Sequence, residues 1–302
     1  MAETFTFLPR RTPGIIFHAF LILLILAGCV FLVWQAFQQS GGALLVLCLL
    51  GAITLFVLLP FAVYRGYALL QGIYSLKRDG LRVRWGLRAE DIPLSDVTWV
   101  RPAIDLEVPL KRPSFAMPGA ILGYSEHPDL GEVEFIASSV SSLVIVATLE
   151  KVYVLSPEDM EEFVQRFQRA LEMGTLTPME PYSTVPAAFV RQVALDRIGR
   201  LLIPAGFILT IFLLVLVGLG ISGRSALSLG YDANGALLPA VPATRLLLLP
   251  VLGILLYVPG TVAGVYLYRR PEGKPVAWLV WASGVLTPLM LIVASALLLG
   301  AS

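Results

Sequence analysis

The sequence predicts an α+β membrane protein, with five transmembrane α-helices and a β-rich, water-facing domain inserted between the second and third. Three observations carry this reading. Of the 302 residues, 57% are hydrophobic and only 14% charged, whereas soluble domains carry about a quarter charged. Charge-free runs of about 18 residues or more recur, long enough at 1.5 Å rise per residue to cross a hydrocarbon core of roughly 30 Å. And 18 of the 21 acidic residues lie between Arg65 and Arg200, so the middle of the chain alone has the charge of a water-facing surface.

Residues 1–14 read as a short tail carrying Arg10 and Arg11. The run from Thr12 to Tyr64 is too long for one span, and Gln38-Gln39-Ser40-Gly41-Gly42 divides it. The expected helices are at about 15–37 and 43–66. A secretory signal is the alternative for the first run, since Arg10-Arg11 precede it. Leu26-Ala27-Gly28-Cys29 also resembles the lipobox of bacterial lipoproteins, with Cys29 as the acylated residue, although Val30-Phe31-Leu32-Val33-Trp34 continues the apolar run. An uncleaved helix is the preferred reading, and the second helix leaves the central domain on the same side either way.

After Arg65 the hydrophobic period changes to two. Leu81, Val83 and Trp85 alternate with Arg82 and Arg84, the pattern of a half-buried strand, and Asp79-Gly80 before it signals a hairpin turn. Further strands are expected at Val97–Val100, Glu132–Ala137, Leu143–Leu149 and Val152–Leu155. Pro102 to Gly131, with five prolines and three glycines, reads as an irregular connection. A helix then opens, with Ser156 as N-cap, Pro157 at N1 and acids in the first turn. Met160, Phe163, Val164, Phe167 and Leu171 form its apolar face, and Gly174 stops it.

About seven short strands closed by one amphipathic helix is the order of a pleckstrin-homology (PH) barrel. The residues Tyr74-Ser75-Leu76 with Asp79-Gly80-Leu81, Ile92-Pro93-Leu94-Ser95-Asp96-Val97, Pro118-Gly119, Gly123-Tyr124, Gly131-Glu132-Val133 and Leu155-Ser156-Pro157-Glu158-Asp159 resemble the bacterial PH-domain families of the membrane-linked type. The resemblance covers about a third of the chain and implies a PH-like β-barrel plus C-terminal helix over residues 70–174. It also implies a non-catalytic module that recruits lipids or proteins.

Residues 175–200 read as a proline-rich linker ending in a short amphipathic helix at the membrane surface, with Phe189, Val190, Val193 and Ile198 among Arg191, Arg197 and Arg200. Three more spans are expected within 201–299, at about 201–222, 245–268 and 275–299. The loop Leu227-Ser228-Leu229-Gly230-Tyr231-Asp232-Ala233-Asn234-Gly235, followed by Pro239, Arg245 and Pro250, resembles a membrane segment that also occurs in toxin-immunity proteins of the Sdp type. This chain has Ser228 and Gly230 where that segment carries a proline and a histidine, so only a shared fold is implied. Asn234-Gly235 is expected to form a turn.

Arg and Lys accumulate in cytoplasmic flanks. With the central domain inside, the inner flanks carry Arg10, Arg11, Arg65, Arg191, Arg197, Arg200, Arg269, Arg270 and Lys274, and the outer flanks only Arg224 and Arg245. The expected topology is therefore amino terminus inside, domain cytoplasmic and carboxyl terminus outside, in a bacterial plasma membrane.

No constellation for catalysis is legible. His18 and His127 are the only histidines, Cys29 and Cys48 the only cysteines, and neither pair has metal-ligand spacing. His127, in Glu126-His127-Pro128-Asp129, reads as a solvated loop residue. No cofactor and no metal are expected, and a net charge of +1 argues against nucleic acid as a partner. The expected partners are the lipid bilayer, anionic headgroups and an unidentified protein. The candidate binding residues are Lys77, Arg78, Arg82, Arg84 and Arg88 around the first hairpin, where each cation near an anionic leaflet contributes on the order of 1 kcal/mol. Lys77 with Arg82-Val83-Arg84 is similar to the basic pattern by which some eukaryotic PH domains hold phosphoinositides. An ordinary solvated strand face, balanced by Asp79, Glu90 and Asp91, is the competing reading. The leading functional expectation is a non-enzymatic membrane protein with a PH-like binding or regulatory domain. The rival is a small transporter or membrane sensor gated by that domain.

Overall fold

The computed structural model describes residues 4–174, 179–184, 192–228, 230, 238–270 and 272–300. In chain order the helices are α1 (Thr12–Phe37), α2 (Ala43–Leu70), α3 (Met160–Met173), α4 (Arg197–Gly220), α5 (Leu248–Tyr268) and α6 (Lys274–Gly300). All but α3 are long and apolar enough to cross a membrane. The chain divides into two units, one formed by the segment up to Leu26 with Val57–Pro186, the other by Ala27–Phe56 with the remainder.

Among the described residues the first unit holds ten strands: β1 (Phe5–Phe7), β2 (Ile73–Lys77), β3 (Gly80–Trp85), β4 (Arg88–Pro93), β5 (Val97–Pro102), β6 (Ile121–His127), β7 (Gly131–Ala137), β8 (Val144–Thr148), β9 (Val152–Leu155) and β10 (Tyr182–Thr184). They form two five-stranded sheets, ordered β1-β2-β3-β4-β10 and β5-β8-β9-β7-β6. The barrel expected from the sequence is thus not closed: among the described residues no strand pair joins the sheets. The second sheet departs from a simple meander because the β8–β9 hairpin folds back and β9 pairs in parallel with β7.

Three expectations change here. The tail at 1–14 contributes a strand, since β1 pairs with β2 and buries Phe7 edge-on against Phe163, ring centroids 5.0 Å apart. Phe5-Thr6-Phe7 does alternate, but three residues are too few for a period to be recognised. The connection between Pro102 and Gly131 includes all of β6, in which Gly123 has φ 126, a left-handed value that suits glycine. And residues 175–200 supply β10 on the outer edge of β4, so this stretch is not linker throughout. Phe189, Val190 and Arg191 lie outside the described residues, as does the Asn234-Gly235 turn. Arg197, Ile198 and Arg200 belong to the first turn of α4.

The core between the sheets is built from Tyr74, Leu76, Leu81, Val83 and Trp85 of the first sheet, Ile136, Val144, Val146 and Leu155 of the second, and Phe163 and Phe167 of α3. The N-cap of α3 is Asp159, whose carboxylate accepts from the Glu162 amide at 2.9 Å, and not Ser156. Ser156 instead lies buried at the end of β9, where its hydroxyl accepts from the Ser138 amide at 2.7 Å. Gly174 ends the helix at φ 68.

In the second unit α4 lies against α5 and α6, and the α1–α2 turn joins it through a Gly42 amide bonded to the Gly218 carbonyl at 2.8 Å. Small residues allow this closeness, as is usual where helices pack inside lipid: a Cβ at Gly264 would run into the Trp281 indole. The helix α1 runs unbroken through Cys29, whose thiol points at the Ala52 carbonyl of α2 at 3.7 Å.

Candidate functional site

The hairpin β2–β3–β4 sorts its charges by strand period. Leu81, Val83 and Trp85 are buried to 1% exposure or less. Arg82 and Arg84 point the other way, with side chains 39% and 38% exposed. Both reach Asp91, directly across the ladder from Arg82: Arg84 at 2.6 Å and Arg82 at 3.5 Å. The face is therefore a bridged strand face, two guanidinium groups on one carboxylate.

Arg88 departs from the grouping the sequence suggested. Gly86, at φ 60, and Leu87 make a two-residue turn that sets Arg88 opposite Trp85, an inward residue. Arg88, Glu90 and Ile92 therefore share the inner face of β4. Arg88 binds Glu90 at 2.9 Å and Glu134 of β7 at 2.6 Å, with side-chain exposures of 12%, 3% and 3%. Such a buried network binds the two sheets to each other and is withdrawn from any lipid surface. Burial lowers the guanidinium pKa, but the two carboxylates outweigh it and hold it above its ordinary value. Tyr153 beside the network has its phenol pKa raised by burial and by Glu90 and Glu134. Tyr124 is pushed up to about 12 by burial and by its bond to Glu134.

Lys77 and Arg78 sit at the opposite end of the hairpin. The chain leaves α2 at Leu70 and the Gly86-Leu87 turn returns to α2, where the Leu87 amide meets the Tyr64 hydroxyl at 3.4 Å. Lys77 is four residues along β2 from Ile73, which at about 3.3 Å per residue is about 13 Å. That exceeds the screening length of about 8 Å at physiological salt. The five basic residues thus fall into three places: Arg82 and Arg84 on the outer face, Arg88 inside, and Lys77 and Arg78 at the distal turn.

A cleft of about 320 Å³ opens where β4 and β10 face the β8–β9 hairpin, a site sequence reasoning did not find. Glu90, Asp91, Ile92 and Asp96 line one wall, Leu149, Lys151 and Tyr153 the other. Pro181, Tyr182 and Ser183 close it, with the Ser183 hydroxyl donating to Glu90 at 2.9 Å. Leu149 and Tyr182 remain 76% and 56% exposed. Glu90 and Asp91 are already engaged by arginines, and the cleft adds the charged side chains of Asp96, Glu150 and Lys151 to its apolar side chains and backbone. Among the described residues no histidine or cysteine lines it. Its lining comes from three stretches far apart in sequence, so no local pattern marked it.

His127 is buried, against expectation. Its Nε2 bonds the Val108 carbonyl at 2.9 Å while Nδ1 receives the Asp129 amide at 3.2 Å, so the neutral Nε2–H form fits. It fastens the long β5–β6 connection to the sheet. His18 bonds the Gly14 carbonyl of its own helix at 2.8 Å.

No curated protein and no solved structure matches the chain. Residues 72–171, the segment from the first turn of the hairpin sheet to the last turn of α3, match the family described as the bacterial PH domain.

Proposed function

We propose that this chain is a non-enzymatic plasma-membrane protein whose PH-like domain stands on the cytoplasmic side and binds a partner protein in the β4–β10/β8–β9 cleft. The observation that carries the proposal is the cleft, which sets exposed Leu149 and Tyr182 beside Glu90 and Asp91, both bridged to arginine, with Asp96, Glu150 and Lys151 on the same lining. Apolar and aromatic side chains ringed by polar and charged groups are the anatomy of a protein interface. Two buried hydroxyls, one in α4 and one in α6, support the binding reading over a transporter or gated sensor. The Thr210 and Ser295 hydroxyls bond the carbonyls of Gly206 and Leu291 in their own helices, at 2.8 and 2.7 Å, whereas transport sites turn polar groups toward a shared path.

A photoreactive amino acid at Leu149, in the full chain in its native membrane, should give one discrete adduct. Thr148→Trp, which fills the cleft, should abolish it; an adduct indifferent to Thr148→Trp, or none, would end the proposal. The sidedness is tested separately, in a Cys29→Ser/Cys48→Ser background. Ser141→Cys should resist an impermeant thiol reagent in intact cells while Ser302→Cys reacts, and the reverse pattern would invert the topology.

A further inference from the structure

Two loop tips of the PH-like domain are tied to neighbouring residues of α2. The Leu87 amide bonds the Tyr64 hydroxyl, and Arg65 Nη1 donates to the Phe115 carbonyl at 2.9 Å. Arg65 also lies over the Phe61 ring, 4.5 Å from its centroid. A helical side chain leans toward the N-terminal end of its helix, and here that end leads into the charge-free run of α2. The Phe115 backbone is therefore held level with Phe61, about a turn inside the point where the apolar run ends.

The same loop is seated on both helices. Gly119 meets Gly14 in the first turn of α1, and Leu69 in the last turn of α2, so closely that a Cβ at either glycine would collide. Leu106 and Leu110 pack onto the second sheet, and His127 fixes Val108. With its backbone so anchored, the loop still leaves Phe115 76% exposed and Leu87 63% exposed. Both are large apolar side chains kept in the open at the height where α1 and α2 enter hydrocarbon. Lys111 and Arg112, also exposed, precede Phe115. Asp105 and Glu107 lie further back in the loop.

We infer that Phe115 and Leu87 are interfacial anchors inserted into the headgroup–acyl boundary of the bilayer that α1 and α2 cross, with Lys111 and Arg112 over anionic headgroups. Apolar side chains flanked by cations are the composition that settles at this depth. The lipid-facing basic site is thereby moved from the β2–β4 hairpin to the β5–β6 loop. The inference rests on α1 and α2 being membrane spans and is independent of what occupies the cleft.

The test uses the full chain, Cys29→Ser/Cys48→Ser, reconstituted in phosphatidylcholine bilayers with or without phosphatidylglycerol. An environment-sensitive fluorophore is attached at Ser114→Cys, which leaves Phe115 in place, and at Glu161→Cys on the exposed side of α3 as a water-facing control. The Ser114 label should be quenched by shallow spin-labelled lipid and shielded from iodide, with the Glu161 label behaving oppositely. Phe115→Ser should lose that lipid quenching. Phosphatidylglycerol should strengthen it, and Lys111→Gln/Arg112→Gln should erase the strengthening. A Ser114 label as open to iodide as the Glu161 label would overturn the anchor. Quenching indifferent to phosphatidylglycerol would overturn the role of the cations.

Discussion

Arg88→Met should destabilise the PH-like domain more than any change on its outer surface, by about 3–5 kcal/mol, because it leaves two buried carboxylates without their cation. Glu90 and Glu134 are each 2% exposed, and both are bonded by the same guanidinium from opposite sheets. The Ser183 hydroxyl, which also donates to the Glu90 carboxylate, carries no charge and cannot neutralise it. The loss approaches the whole stability of a small domain, about 5–15 kcal/mol. Amide hydrogen exchange of β4 and β7 in the full chain should then accelerate by about two to four orders of magnitude, at 1.4 kcal/mol for each factor of ten. Adding Glu90→Gln and Glu134→Gln to Arg88→Met should recover most of the protection, since what is destabilising is the unpaired charge. If Arg88→Met exchanges like the native chain, the network contributes nothing to joining the sheets.

The contrast between Arg88 and its neighbours shows what was and was not legible in the chain. The alternation in Leu81–Trp85 assigned the inner and outer faces of β3 correctly, because period two survives burial of one face. It could not assign Arg88, whose orientation depends on a turn of two residues rather than three; one residue more would have turned the whole of β4 over. Glu134 was masked for a related reason. Val133 and Phe135 face one layer, while Glu134 and Ile136 face the other, so β7 is covered on both sides and its alternation no longer marks solvent. The five apolar spans were legible because membrane helices satisfy their backbone internally and need only length and hydropathy. The cleft and the Phe115 loop were not, since each is made by residues far apart in sequence whose meeting depends on register and loop closure. In Ile104 to Ala116, apolar residues mix with Asp105, Glu107, Lys111 and Arg112 without period, and only the bond to Arg65 reveals the level at which they sit.

Phe167→Ala should cost about 3–5 kcal/mol, the range for deleting a fully buried aromatic ring. Phe163 and Phe167 are both fully buried, 5.8 Å apart, and α3 presents them to the core one turn from each other. Little can collapse into the space Phe167 would vacate, because the neighbouring side chains belong to sheets already fixed by their ladders. By contrast Glu161→Ala, on the exposed face of the same helix, should change stability by no more than about 0.5 kcal/mol. The measurement again belongs in the full chain, because β1 lies far from residues 72–171 in sequence yet supplies Phe7 to the edge of Phe163. A fragment beginning at residue 70 would leave one side of Phe163 bare and confuse the two losses. Exchange protection in β2, β3 and α3 should fall together for Phe167→Ala, since all three share this core. Loss confined to α3, with the strands still protected, would mean that the helix is an appendage on sheets that hold without it.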